Sequence, residues 1–315
     1  MLQQTEAPKY TVVIPVYNSA TIVGQTIDHT VSFFEKHNLA YELILVNDAS
    51  PDQSWEVLRE KAQANPHLIA VNFLKNYGQH TAVFCGLQQS TGDYVITMDD
   101  DLQNPPEEII HLIDKANQGH DLVFGRFRAK QHAGYRRMGS LLIGVINERL
   151  FHKPDDLVLT NFRMIRRDVV DRMCAYQTIY PYIPGLALMF SANPANVWVE
   201  HKPRAVGGSN YNFFKIAELV MRILFNYSSF PLRLVSLIGG LIAGLSFLLG
   251  LYFLGKAIFI GTSVPGWASV VVLLAFFNGI TILILSMLGE YTVRLLHQTS
   301  QAQSYHIKET IRSNE

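Results

Sequence analysis

Two apolar patterns divide the chain. Up to about residue 230, short apolar runs of strand length alternate with stretches of helical spacing; beyond it, charge almost vanishes. In the first region, Tyr10–Val16 (YTVVIPV), Tyr41–Asn47 (YELILVN), His67–Leu74, Asp93–Met98 (DYVITM) and Asp121–Gly125 read as strands. Between them, Ala20–His37, Trp55–Ala64, Gln79–Gln89 and Pro105–Asn117 read as helices. The last has a marked start. Asn104 is placed to cap it, Pro105 or Pro106 suits the first turn, and Glu107 and Glu108 face its positive end. Near-continuous apolar strands alternating with helices predict an α/β fold with a mostly parallel sheet covered on both faces. Ligands of such sheets bind beyond the carboxyl ends of the strands.

In the second region, residues 234–255 carry no charge over 22 positions. As helix that is about 33 Å, close to the ~30 Å hydrocarbon core of a bilayer. Residues 257–289 are also uncharged, broken by the turn-like Gly261-Thr262-Ser263-Val264-Pro265-Gly266, after which Val270–Leu288 reads as a second span. The competing reading is a buried helical hairpin in a soluble core. Arg222 and Arg233 precede the pair; Arg294, His297 and Lys308 follow it. The positive-inside rule then places both ends in the cytoplasm. The opening MLQQTEAPKY is polar and has no apolar signal region. Asn212–Ser229 is apolar around most of its girth and leads into the first span, as an interfacial helix would. The expected organisation is therefore a cytoplasmic domain over 1–211, an interfacial helix over 212–230, two transmembrane helices over 231–290 with an outside loop near 261–266, and a cytoplasmic tail over 291–315.

Composition sharpens this picture. Of 52 charged residues, 44 precede residue 231, and lysine plus arginine equal aspartate plus glutamate at 26 each. No global basic field favours nucleic acid. Two cysteines, Cys85 and Cys174, cannot make a disulfide framework and suit a reducing compartment. Neither G-x-G-x-x-G nor a P-loop appears, so dinucleotide binding and P-loop ATPase chemistry have no support.

The densest chemical signal is Met98-Asp99-Asp100-Asp101-Leu102-Gln103, directly after the fourth strand. Adjacent carboxylates repel unless screened. Hard oxygen ligands of this kind suit Mg2+ or Mn2+, completed by water and substrate phosphates; the alternative is a solvated acidic turn. Asp48 follows the second strand and so belongs to the same sheet edge, unless it only caps the helix that begins near Asp52. From Leu122 to Asn147 there is no acid, but Arg126, Arg128, Lys130, Arg136 and Arg137 occur with His132. They lead into an apolar stripe from Met138 to Leu150, which fits either a membrane-interface helix or a core-facing helix with a basic flank.

Together, VVIPVYN (12–18), VNDAS (46–50), KNYGQHTA (75–82), MDDDLQNPPEEI (98–109), NFRMIRRDVVD (161–171), RAVGGSNY (204–211), FPLRL (230–234) and LGEY (288–291) give the chain a resemblance to the polyprenyl-phosphate glycosyltransferases of glycosyltransferase family 2. This family includes bactoprenol glucosyltransferase, dolichol-phosphate mannose synthase and undecaprenyl-phosphate 4-deoxy-4-formamido-L-arabinose transferase. NYGQH and DLQNPPEEI look most like the last. The resemblance implies a GT-A-type, Rossmann-like sheet and a membrane enzyme dependent on Mg2+ or Mn2+. It implies that Pro15, Tyr17, Asn18, Asp48, Lys75 and Asp99 bind the nucleotide-sugar. Asp99 and Asp101 match the D-x-D pair that holds the metal, with Gln103 as a further ligand. Arg126, Arg163, Arg204, Ser209 and Tyr211 are implied on the acceptor-phosphate side, and Asp99, Asp101, Asn161 and Arg126 in catalysis. It also implies a homo-oligomer, a tetramer, at the inner (plasma) membrane.

Three departures stand out. The family's Gly-Asp-Phe-Arg is Thr160-Asn161-Phe162-Arg163 here, Ser-Lys-Tyr is Ser209-Asn210-Tyr211, and Asp-Asp-Gly-Ser is Asn47-Asp48-Ala49-Ser50. The first removes a carboxylate proposed as base. A phosphate-monoester acceptor, with a second pKa near ~6, needs none. The expected reaction is inverting transfer of a sugar, from a UDP-sugar, to undecaprenyl phosphate at the cytoplasmic face, for lipopolysaccharide, O-antigen or another surface glycan. The rival reading is an inactive membrane scaffold that binds nucleotide-sugar or lipid phosphate. A processive polymerase lacks its further spans and Q-x-x-R-W motif, and nucleotidyl transfer leaves the apolar helices unexplained.

Overall fold

The computed structural model of the protein describes residues 7–127, 134–178, 180–202, 213–260, 266–299 and 305–313. Its strands are β1 (Tyr10–Val16), β2 (Tyr41–Asn47), β3 (Leu68–Phe73), β4 (Tyr94–Thr97), β5 (Leu122–Phe127), β6 (Arg163–Arg166), β7 (Pro194–Val199) and β8 (Ile307–Arg312). The helices are α1 (Val23–Lys36), α2 (Ser54–Ala64), α3 (Gln79–Gln89), α4 (Ile109–Ala116), α5 (Gly134–Phe151), α6 (Arg167–Ala175), α7 (Ile183–Phe190), α8 (Phe213–Tyr227), α9 (Phe230–Phe259) and α10 (Trp267–Thr299). The chain divides into two compact units, one of Met1–Glu218 with Ala302–Glu315 and one of Leu219–Gln301.

The first unit is built on one mixed sheet of eight strands among the described residues, in the order β7-β5-β6-β4-β1-β2-β3-β8. Strands β4, β1, β2 and β3 run parallel. Every residue of β1 and β2 is buried, because helices cover both faces; that is why these strands read as unbroken apolar runs. Helix α3 lies flush on β1 at Gly86, where any Cβ would collide with Val13. The mostly parallel expectation meets two exceptions: β6 enters antiparallel between β4 and β5, and β8 pairs antiparallel with β3. The sequence pattern gave no sign of β6, β7 or β8.

The start of α4 differs from expectation. Pro105 occupies the cap position, Pro106–Glu108 forms a 3-10 turn, and Asn104 makes no capping bond. Asn104 is buried, with its side-chain oxygen unpartnered. The two prolines enter the helix with pre-set φ and need fewer N–H partners, which leaves little for a capping side chain to do.

In the second unit, α9 and α10 pack along one another, Gly239 making room for Ile282 and Phe253 meeting Trp267 edge-on at 5.1 Å. Among the described residues one stretch, Leu273–Val293, is long and apolar enough to cross a membrane, and 6% of its most apolar window is buried. On α9, Leu237, Leu241, Leu245 and Leu248 are each more than 60% exposed, a row of apolar side chains without cover in this unit.

Candidate active site

Three strands end at one cavity. The end of β1 and the turn after it supply Pro15, Val16 and Tyr17, the turn after β2 Asp48, and the turn after β4 Asp99, Asp100, Asp101 and Gln103. Asn76, Gly78 and Gln79 come from the turn into α3, and Asn161 from the residues before β6. The cavity holds about 390 Å3. Each of the three strand-end turns carries a non-glycine residue in the left-handed region: Asn18 (φ 56°), Ala49 (φ 51°) and Leu102 (φ 55°). Asn tolerates this; Ala and Leu do so at a cost. Ala49 therefore keeps the backbone conformation for which the family's glycine is suited.

Each acid is held in its own way. Asp48, 3% exposed, accepts hydrogen bonds from the backbone N–H groups of Tyr77 (2.7 Å) and Gly78 (2.8 Å). Gly78 has φ 93° and starts α3, so a glycine is what lets the chain aim these two donors back at β2. Burial raises the Asp48 carboxyl above its usual range, and the two N–H donors oppose that. Asp48 thus does not cap α2, whose cap residue is Gln53; just before it, Asp52 accepts from the Ser54 backbone N–H. Asp99 accepts from the side-chain amides of Gln79 (2.6 Å) and Asn161 (3.3 Å), both on Oδ1. Its pKa is raised by burial first and by the Asp101 charge second, against the pull of Asn161, Arg163 and Gln79. Burial also pushes Asp100 up, to about 6. Asp100 faces the first turn, where it accepts from the Tyr17 backbone N–H at 3.4 Å. Asp101 accepts from the Gln103 N–H at 3.1 Å.

The donor set fits a divalent cation in part. Asp99, Asp101 and Gln103 bring hard oxygen ligands to one cavity. Among the described residues no three His, Cys, Asp or Glu gather as a ready cage. That suits Mg2+ or Mn2+ bound by one or two carboxylates with substrate phosphates and water completing the shell, rather than an all-protein site.

The structure brings Pro15, Tyr17, Asp48, Asp99, Asp101, Gln103 and Asn161 to one cavity. Asn18 and Lys75 lie on adjoining turns; Lys75 reaches over the Tyr77 ring at 5.4 Å. Arg126 lines a different cavity of about 350 Å3 with Lys115, Asn196 and Trp198, its guanidinium 4.6 Å from the Trp198 ring centre. Arg163, expected on the acceptor side, is 1% exposed. Its Nε donates to Thr97 Oγ1 (2.9 Å), Thr97 Oγ1 donates to the Asn161 carbonyl (2.6 Å), and Nη1 has no partner. It is a buried cation beneath Asp99, enclosed away from any arriving headgroup. Arg204, Ser209 and Tyr211 lie outside the described residues. The sequence reading assigned no role to Asn76, Gly78, Gln79 or Asp100, although KNYGQHTA and the acidic run contained them.

Comparison with known proteins places the chain in a family. The profile of glycosyl transferase family 2 matches residues 11–174. The undecaprenyl-phosphate 4-deoxy-4-formamido-L-arabinose transferase of Pectobacterium atrosepticum is 36% identical over 304 residues, 95% of this chain and 93% of that protein. The protein of the same name from Proteus mirabilis is 34% identical, over 96% of this chain and 94% of its own. Among solved structures, the glucosyl-3-phosphoglycerate synthase of Mycobacterium tuberculosis, in complex with Mn2+, UDP-glucose and phosphoglyceric acid, superposes with a TM-score of 0.53. It is 15% identical, with 69% of this chain and 78% of that one covered. The mannosyl-3-phosphoglycerate synthase of Rubrobacter xylanophilus gives 0.51 at 16% identity over 69% and 72%. These two share the fold, a GT-A-like α/β sheet. With acids at the ends of β2 and β4 converging on one cavity and relatives matched over nearly the full length, the chain belongs to glycosyltransferase family 2 and is a glycosyltransferase.

Proposed function

We propose that the protein transfers a sugar from a nucleotide-sugar, a UDP-sugar, to undecaprenyl phosphate at the cytoplasmic face of the inner membrane. The observation that carries this reading is the shared cavity of Asp48, Asp99 and Asp101. The names of the full-length relatives support the acceptor, and the Mn2+ and UDP-glucose of the M. tuberculosis neighbour support the kind of donor.

In this reading Asp48 and the β1 turn hold the nucleoside. Asp99, Asp101 and Gln103 hold Mg2+ or Mn2+, which supplies neutralisation of the leaving diphosphate. Asn161 cannot serve as a base. Its amide donates to Asp99, and it works by keeping that carboxylate turned inward. The acceptor phosphate arrives already anionic at pH 7, so its oxygen attacks the anomeric carbon directly, with inversion, and no proton has to be removed. What the protein supplies is alignment and charge. Arg126, Arg204, Ser209 and Tyr211 are the proposed contacts of the acceptor phosphate. Helices α9 and α10 are proposed as the two membrane spans, supported by their length and the exposed apolar row. The decisive experiment incubates purified protein with undecaprenyl phosphate, Mn2+ or Mg2+ and a panel of UDP-sugars, followed by mass spectrometry of the lipid. A glycosylated lipid from one donor establishes the reading; no product from any donor with either metal refutes it.

A further inference from the structure

The eighth strand lies far from the acids in sequence but close to them through a chain of contacts. Strand β8 pairs with β3 from Ile69 opposite Arg312 to Phe73 opposite Ile307, with a bulge at Asn72/Phe73. The ladder runs one residue past the strand, where the Leu74 N–H donates to the His306 carbonyl at 2.9 Å. Just before β8, the Tyr305 ring stacks on Phe73 with centroids 5.0 Å apart and planes at 25°. The Tyr305 hydroxyl donates to Gln88 Oε1 of α3 at 2.5 Å. Phe73 is 1% exposed; it meets the Tyr77 ring edge-on at 5.5 Å, and His306 meets Tyr77 at 6.5 Å. Tyr77 and Gly78 are the two residues whose N–H groups hold Asp48, and the same turn lines the cavity with Asn76, Gly78 and Gln79.

From this geometry we infer that Tyr305 is a positioning residue for the donor site: with His306 it clamps the 73–78 turn, and through Tyr77 and Gly78 it sets the Asp48 carboxylate. The inference rests on the donor reading given above for what Asp48 binds, but the clamp itself does not. Apart from ring stacking, what holds the turn is a handful of hydrogen bonds, and turns held that way open locally before the core does. Removing the Tyr305 ring uncovers Phe73 and frees the turn while leaving β1, β2 and β4 packed.

The test uses the full-length protein in detergent, as wild type, Tyr305→Ala and Tyr305→Phe. Amide exchange reads the clamp without ligand. In Tyr305→Ala the Tyr77 and Gly78 amides exchange about tenfold faster while β1 and β2 keep their protection. Tyr305→Phe, which retains the ring, stays close to wild type. Calorimetric titration with UDP and Mn2+ reads the consequence: affinity falls about tenfold in Tyr305→Ala and stays within about threefold in Tyr305→Phe. In a cycle with Asp48→Asn, the double variant loses no more than Asp48→Asn alone, because both changes act through one carboxylate. Unchanged exchange at Tyr77 and Gly78, loosening that spreads to β1, or UDP affinity that ignores a loosened turn each overturns the inference. Wild-type protein that binds no UDP refutes the donor reading instead, and the exchange result then decides the clamp.

Discussion

Two cavities of the catalytic unit, of about 390 and 350 Å3, are alike in volume and differ in character. The first is ringed by acids. Asp48 is pinned by the turn into α3, and Asp99 by Gln79 at the end of that same turn and by Asn161. The second is lined by Lys115, Arg126 and Asp156, and three of its polar side chains are already engaged. Asn196 bonds the backbone of Phe124 and Val158, Lys115 bonds Gln118, and Arg126 lies on Trp198. Size does not separate the two. Pre-aimed charge with coordination left to give does, and that is what a transferase needs where a diphosphate departs.

Substitutions can break this comparison. The largest effect is expected at the first cavity: Asp99→Asn keeps the shape, removes the charge, and lowers turnover by about 10²–10³-fold. The melting temperature stays near that of wild type, so near-normal turnover would exclude Asp99 from metal binding. Asp48→Asn comes next. An amide in place of the carboxylate turns a donor toward one of two N–H groups, and UDP affinity measured by calorimetry drops about 10- to 100-fold. Asn161→Ala should cost less than Asp101→Ala in kcat, because the amide only orients Asp99; equal losses would show that Asn161 does more than that. In the second cavity, Arg126→Ala should raise the KM for undecaprenyl phosphate several-fold and leave UDP affinity alone. A shifted UDP affinity would merge the two cavities into one site.

The smallest effect concerns His80, which sits behind the first cavity against Tyr182 at 5.3 Å. Burial, and then the Arg163 charge, push its pKa down from 6.5 to about 3. The unfolded chain therefore binds a proton that the folded one refuses between those values. Stability should be flat in this respect above pH 6.5 and fall as pH drops below it, by at most about 1.4 kcal/mol per pH unit. His80→Gln should flatten that slope in urea titrations at several pH values; an unaltered slope would assign the proton uptake elsewhere.

How much of this could be read from the amino acids follows from the same contrast. Strands β1 to β5 were legible because burial leaves a near-unbroken apolar run. The short β6 (RMIR) has arginine at both ends, β7 (PANVWV) opens with proline on an edge, and β8 (IKETIR) is a largely exposed edge strand charged at Lys308, Glu309 and Arg312. None carries the apolar signal. Asp48, Asp99 and Asp101 were legible as acids at strand ends, where α/β sheets bind ligands. Their holders were not: Gln79 is 20 residues from Asp99 and Tyr77 is 29 from Asp48, and only the folded chain brings them together. Arg163 shows the reverse failure. The family resemblance suggested a phosphate contact there, and the sequence conceals that the side chain is buried.

The position of β8 has a consequence for biosynthesis. The strand that completes the sheet is encoded after both long apolar helices, so a nascent chain whose first two hundred residues have already left the ribosome still lacks one edge. That edge of β3 stays unpaired while the helices are being made. The domain matures only after the ribosome has finished them, so the order of translation itself keeps an enzyme without its apolar helices from being a finished one.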